Sequence, residues 1–215
     1  MNVIPVINCP DIDCARKRLE VMKTFLREGE LVHLDITDGS FSVHKTWNDP
    51  LGWLALRSSF ALEVHLMVEQ PEDYIDNWLT AGARRLIVHL ETIAPPVLHA
   101  MVALAEQHNA EIVLSSRAET AAESYLPYIP KLRPVAFQVL AVQPGPADQK
   151  FLPFVQSKIH FLREVAPDAT IEVDGGMDPE TTRLVKTAGA DTVTASHYIF
   201  SAVDPKKAHD ELINI

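Results

Sequence analysis

Leu31-Val32-His33-Leu34-Asp35-Ile36-Thr37-Asp38-Gly39 reads as a buried β-strand carrying polar groups where apolar ones belong. Side chains two apart on a strand share a face, so His33 and Asp35 point the same way. Burying both is costly unless something charged satisfies them. Two further apolar runs carry matching groups: Leu62-Glu63-Val64-His65-Leu66-Met67, and Thr170-Ile171-Glu172-Val173-Asp174 followed by Gly175-Gly176. Two His and two Asp near the ends of three strands make a set that could meet at one metal ion.

Outward from these runs, short β-branched stretches alternate with longer helical patterns. Strands are expected at 2–8, 31–36, 61–67, 85–90, 111–115, 135–142, 170–174 and 191–195. Helices are expected at 12–28, 50–58, 72–82, 96–108, 118–128, 151–166, 179–189 and 204–213. Asp11 precedes the first helix and Gly29 follows it, while Pro71 and Pro179 open two others. Eight strands alternating with eight helices in 215 residues is the arithmetic of a (β/α)8 TIM barrel; an open doubly wound sheet is the alternative and usually has fewer strands. No linker or compositional break divides the chain, so one domain over 1–215 is expected. A barrel gathers the C-terminal ends of its strands at one mouth, where His33, Asp35, His65 and Asp174 would converge.

With 47% hydrophobic and 22% charged residues the chain reads as globular. A formal charge of −10 argues against nucleic acid or an anionic membrane as partner, since both demand a basic face. Cys9 and Cys14 are the only cysteines, too few for a disulfide framework or a zinc-finger pattern, so both are expected reduced. No run approaches the ~18 apolar residues of a membrane span, and the start lacks a signal-peptide pattern. The expected address is cytoplasmic.

These segments resemble the ribulose-phosphate 3-epimerase family. The family's strand-two motif is matched by His33-Leu34-Asp35-Ile36-Thr37-Asp38-Gly39, and its strand-three motif by Val64-His65-Leu66-Met67-Val68 with Pro71-Glu72-Asp73 opening the next helix. Val88-His89-Leu90-Glu91 is similar to its strand four. The loop after strand six is matched by Ala141-Val142-Gln143-Pro144-Gly145 through Phe151, strand seven by Val173-Asp174-Gly175-Gly176, and the approach to strand eight by Ala188-Gly189-Ala190-Asp191. The resemblance implies a single-domain barrel of the ribulose-phosphate-binding type. It also implies one divalent metal (zinc, iron, manganese or cobalt) held by His33, Asp35, His65 and Asp174. The implied reaction interconverts D-ribulose 5-phosphate and D-xylulose 5-phosphate: Asp35 and Asp174 exchange a proton at C3 from opposite faces. It further implies substrate phosphate held around Gly145, Gly175, Gly176, Ser196 and His197, a pocket lined by Cys9 and Met67, and a homo-oligomer.

The chain departs from the family where phosphate is bound. Gly145-Pro146-Ala147-Asp148-Gln149 stands in place of a glycine-rich loop. Pro146 has no N–H to donate. Asp148 would set a carboxylate near a dianion, at about 3 kcal/mol per unit charge for ~5 Å and an effective dielectric of ~20. Ser196-His197 replaces a Gly-Ser pair, Thr37 a methionine, and Ser115-Ser116-Arg117 an Asn-Pro pair; His197 and Arg117 are the candidates to restore positive charge. These changes leave open an epimerase of another ketose phosphate, or a barrel that binds metal and sugar phosphate without turnover. A lyase of the related decarboxylase barrels would need lysine where Thr37 stands.

The remaining polar residues carry plainer expectations. His89 is expected as a hydrogen-bonded core residue, Cys9 as an inert buried thiol, and Asp38-Gly39 as a turn. Glu63 and Glu172 are expected as partners behind the site or as barrel-interior ion pairs. His44, His99, His108, His160 and His209 are expected on loops or helix surfaces, and Trp47, Trp53 and Trp78 as packing anchors.

Overall fold

The computed structural model describes residues 1–132 and 134–215. Its elements run β1 (Asn2–Ile7), α1 (Ile12–Met22), β2 (Leu31–Thr37), α2 (Pro50–Leu56), β3 (Ala61–Met67), α3 (Glu72–Thr80), β4 (Ala83–His89), α4 (Pro95–Gln107), β5 (Glu111–Ser116), β6 (Ala136–Leu140), α5 (Val155–Val165), β7 (Thr170–Asp174), α6 (Pro179–Ala188), β8 (Thr192–Ala195), α7 (His197–Phe200) and α8 (Pro205–Ile213). The strands pair in parallel, in chain order, and close into a barrel when β8 meets β1. The fold is the expected (β/α)8 TIM barrel.

Several helices start where a side chain satisfies their free N–H groups. Asp11 accepts from the N–H of Cys14 at 2.8 Å. Asp178 forms a capping box with Thr181 and opens α6, with Pro179 in the first turn. Outward-facing Val32, Leu34, Ile36, Leu62, Val64 and Leu66 join the helices in one apolar core. Trp47, Trp53 and Trp78 are buried in that core.

The barrel interior is largely polar. Apart from the small apolar group Ile87, Val113 and Ala136, a belt of ion pairs and hydrogen bonds crosses it. Arg85 reaches Glu63 at 2.5 Å and Glu172 at 3.1 Å. Gln138 donates to Glu172 at 3.2 Å and accepts from Ser115 at 2.8 Å. Glu63 and Glu172 are thus interior ion-pair residues. Burial first, then the nearby Glu63 charge, pushes the Glu172 carboxyl up to about 7.

Three expectations are corrected here. The helix expected over 118–128 is instead a pair of 3-10 turns, Ala122–Tyr125 and Ile129–Lys131. Pro127 and Pro130 have no N–H to give to an α-helical ladder, so the stretch closes as two short turns. Cys9 and Cys14 are joined as a disulfide and are not free thiols. The Pro10-Asp11 turn folds the first turn of α1 back over the end of β1, bringing the two Cα atoms to 5.7 Å. His209 is also buried rather than on a surface, packed on Phe25 at 4.7 Å between ring centroids.

Candidate functional site

Strand register decides which polar groups meet. Asp35 on β2 lies directly across from His65 on β3, and His33 across from Glu63. Asp174 on β7 pairs with Thr194 on β8. Around the ring β2 and β7 are separated only by β1 and β8, so their inward carboxylates approach one another at the C-terminal mouth. His33, Asp35, His65 and Asp174 each place a ligand-type atom within 4.8 Å of the others, and all four are buried.

Two ring nitrogens converge on one carboxylate oxygen. Oδ1 of Asp35 lies 3.1 Å from Nε2 of His33 and 3.2 Å from Nδ1 of His65, and that same Nδ1 is 3.5 Å from Oδ2 of Asp174. The opposite nitrogens are committed elsewhere: Nδ1 of His33 sits 2.7 Å from Glu63, and Nε2 of His65 sits 2.8 Å from Nε2 of His89. Burial alone would lower the pKa of His33 and His65, yet hydrogen bonds to their carboxylate partners outweigh it, raising His65 and taking His33 well above its ordinary value. Burial would raise Asp35, but hydrogen bonds from the two imidazoles hold it below the usual carboxylate range. The pocket therefore favours positive charge at this point. A buried set of two imidazoles and two carboxylates, with the far ring nitrogens already hydrogen-bonded, fits a divalent transition metal or zinc.

Further side chains fix the carboxylates. Asn8 Nδ2 donates to Asp35 Oδ2 at 2.9 Å, and Thr194 Oγ1 donates to Asp174 Oδ1. Thr46 Oγ1 donates to the carbonyl of Asp35 at 2.7 Å and accepts from the N–H of Thr37 at 2.9 Å, pinning the end of β2. Asn8, Thr46 and Thr194 were not singled out from sequence. Asn8 had a usable signal: it ends a strand whose successor carries His33 and Asp35.

Above this cluster lies a cavity of about 510 Å³. Asp35, Met67 and Asp174 form part of its wall, with Gly145, Gly175, Gly176, Ser196 and His197 around the remainder, so the expected phosphate-side residues share one space with the carboxylates. Cys9 does not line it; its disulfide to Cys14 ties it into the apolar core instead. Arg117 does not line it either. Its guanidinium stacks on Phe41 at 3.9 Å and donates to the Phe41 carbonyl. Lys150, not foreseen, does line the cavity.

The two glycines that follow β7 answer to packing as well as to chemistry. Both have positive φ, and a Cβ on Gly176 would lie 2.7 Å from the backbone nitrogen of Phe151. The loop after β6 can therefore press onto the end of β7 only where no side chain stands. In that loop Asp148 takes φ +64 and faces His197 at 3.5 Å, both side chains largely exposed. Ser196 Oγ is buried at the cavity wall and has no hydrogen-bond partner among the described residues.

A model of the ribulose-phosphate 3-epimerase family matches residues 7–200. The chain is 34% identical over 190 residues to the ribulose-phosphate 3-epimerase of Bacillus subtilis, covering 85% of both chains. It is 30% identical over 207 residues to that of Schizosaccharomyces pombe, covering 94% of this chain and 89% of the relative. It is 32% identical over 176 residues to the cytoplasmic isoform from Oryza sativa subsp. japonica, covering 81% and 77%. Among solved structures, 3-hexulose-6-phosphate synthase from Salmonella typhimurium superposes with a TM-score of 0.73 at 13% identity, covering 100% of this chain and 97% of that one. KGPDC from Streptococcus mutans superposes at 0.71 and 16% identity, covering 100% and 98%; at such identities the likeness is one of fold. The family match runs from the end of β1 to the end of α7 and takes in all four clustered residues, so the chain belongs to the ribulose-phosphate 3-epimerase family.

Proposed function

We propose that this chain is a metal-dependent epimerase, a single barrel domain that interconverts D-ribulose 5-phosphate and D-xylulose 5-phosphate by moving a proton at C3. The observation that carries this reading is the buried meeting of His33, Asp35, His65 and Asp174 at the mouth of a family barrel. A divalent metal held by these four residues would supply Lewis-acid polarisation of the ketone.

The rest follows from the side chains. Asp35, held ionised by its imidazole neighbours, takes the C3 proton, and the C–H electron pair moves into the C2–C3 bond of an enediolate. Asp174, on the other side of the mouth, delivers a proton to the opposite face and inverts the centre. Return catalysis exchanges the two roles. Asn8 and Thr194 aim the two carboxylates, while Met67 packs an apolar surface against the reacting end and limits water. Gly145, Gly175, Gly176, Ser196 and His197 are assigned to the far end of the substrate, with the unpartnered Ser196 hydroxyl as a ready donor.

A second reading is favoured by one observation. Asp148 and Pro146 line the same cavity as the phosphate-side residues, and they suit an epimerase whose ketose carries a weaker anion than a phosphate dianion. Solvent-deuterium incorporation at C3, followed by NMR with metal-loaded protein, tests both. Exchange into either pentulose phosphate supports the first reading. Exchange confined to another ketose supports the second, and no exchange into any ketose overturns both.

The cytoplasm is the proposed compartment, supported by the name of the rice relative. No helix among the described residues is long and apolar enough to cross a membrane. Self-association is proposed on the apolar side chains that Val43, Leu51 and Leu54 leave exposed, and sedimentation velocity measures it.

A further inference from the structure

His33 and His65 are oriented by unequal means. His33 turns Nε2 toward Asp35 and Nδ1 toward Glu63 at 2.7 Å, and Glu63 is itself anchored by Arg85. That is the ordinary arrangement of imidazole backed by a carboxylate. His65 has no carboxylate behind it. Its Nε2 meets Nε2 of His89 at 2.8 Å, the two rings lying nearly parallel at 15°. Nδ1 of His89 in turn lies 3.4 Å from Oε2 of Glu91, near enough for charge attraction though not aligned as a hydrogen bond.

Each member of this chain of groups is held from outside. Glu91 Oε1 accepts from the backbone N–H of Arg117 at 2.9 Å and from Thr120 Oγ1. The Phe41 ring packs on His89 at 4.6 Å, and Arg117 covers the Phe41 ring. His89 is fully buried and its rotation is blocked by rings on two sides. A buried imidazole in such a cage has one orientation, and its tautomer follows from its neighbours.

We propose that His89, backed by Glu91, is a positioning residue that fixes the tautomer of His65 for metal binding, a role that rests on the metal reading given above. The carboxylate of Glu91 attracts the proton of His89 to Nδ1. Nε2 of His89 is then a bare acceptor, and His65 donates its Nε2–H to it. This leaves the lone pair of His65 on Nδ1, the atom that faces Asp35 and Asp174. One carboxylate thereby orients a ligand two rings away, and the loop that follows β2 reaches His65 through Phe41. His89 is not one of the four clustered residues and reaches them only through His65, and it does not line the cavity.

The test uses the full purified chain and zinc affinity measured by competition with a chromophoric chelator. His89→Leu removes the acceptor and should weaken zinc binding about 10- to 100-fold. His89→Gln keeps an acceptor near the same position and should restore affinity to within about 3-fold of wild type. Glu91→Gln keeps the shape without the charge and should weaken binding about 3- to 10-fold. Should His89→Leu fail to fold, the wild-type protein still decides: nitrogen-15 imidazole NMR of the zinc form should show His65 bound through Nδ1 and protonated at Nε2. His65 ligated through Nε2, or wild-type affinity in folded His89→Leu, overturns the proposal while leaving the metal reading intact. Absence of zinc, iron, manganese and cobalt binding by wild type overturns the metal reading, and this proposal with it.

Discussion

Asn8 holds Asp35 and the loop after β6 with one amide group: Nδ2 donates to Asp35 Oδ2 at 2.9 Å and to the carbonyl of Gly145 at 3.0 Å. The end of β1 thus couples the proposed base to the wall that would hold the far end of the substrate. Asn8→Leu removes a charge-assisted hydrogen bond worth about 1.5–3 kcal/mol. Epimerase kcat should fall roughly 10- to 100-fold with metal content unchanged, as read by coupled assay and metal analysis.

Asp148 should oppose a phosphorylated substrate. It lines the cavity and its side chain is largely exposed, so solvent screening cuts the ~3 kcal/mol at ~5 Å and an effective dielectric of ~20 to about 1 kcal/mol. Asp148→Gly also suits the φ of +64 at this position. KM for the sugar phosphate should drop about 5-fold, and the gain should shrink as salt is raised. An unchanged KM would show that Asp148 turns away from the bound anion.

Gly176→Ala should damage the fold before it damages the chemistry. The added Cβ meets the Phe151 backbone at 2.7 Å and the residue sits at φ +71, where an L side chain is strained. Together these should cost about 2–4 kcal/mol, lowering Tm by roughly 4–12 °C for a chain of this size. Differential scanning calorimetry reads it directly.

Removing Arg85 should be worse than removing the whole interior ion group. Arg85→Met strands the buried carboxylates of Glu63 and Glu172 and should destabilise by about 3–5 kcal/mol in urea unfolding. Adding Glu63→Gln and Glu172→Gln to that variant should recover much of the loss, because no ionised carboxylate is then left unpaired.

Lys158 gives the chain an alkaline signature. Its ammonium is buried against Ser116 Oγ and the Arg117 carbonyl, at 2.8 and 2.6 Å, and burial lowers its pKa from 10.5 to about 8. Between those values the unfolded chain holds more protons than the folded one, so stability rises with pH in that window. The difference in unfolding free energy between wild type and Lys158→Met should shift in favour of wild type from pH 8 to 10, by up to about 3 kcal/mol. A flat difference would show that Lys158 stays charged throughout.

The clustered residues were legible because each stands near the end of a strand, and a barrel sends all such ends to one mouth. His33 and Asp35 announced themselves as polar groups in an apolar run. Their supports did not. Asn8 and Thr194 matter through contacts between neighbouring strands, and those depend on register, which no run of residues spells out. His89 reads as a core histidine, and it is buried as expected; that its partner is His65, 24 positions earlier, follows only from β3 and β4 closing side by side. The Cys9–Cys14 bond escaped notice because counting cysteines asks about frameworks, whereas here a five-residue separation is closed by the turn that starts a helix. Residues 118–128 read as a helix, whereas the β5–β6 crossover closes as two 3-10 turns around Pro127 and Pro130.

That crossover leaves the outer shell of the barrel uneven. Where the other crossovers between strands carry an α-helix, this stretch is bolted down by two phenols: Tyr125 donates to the Gln138 carbonyl at 2.8 Å, and Tyr128 to the Ile93 carbonyl at 2.8 Å. Isolated anchors release one at a time, while a helix lets go as a block. The crossover between β5 and β6 therefore relies on separate anchors where the others have a cooperative helix.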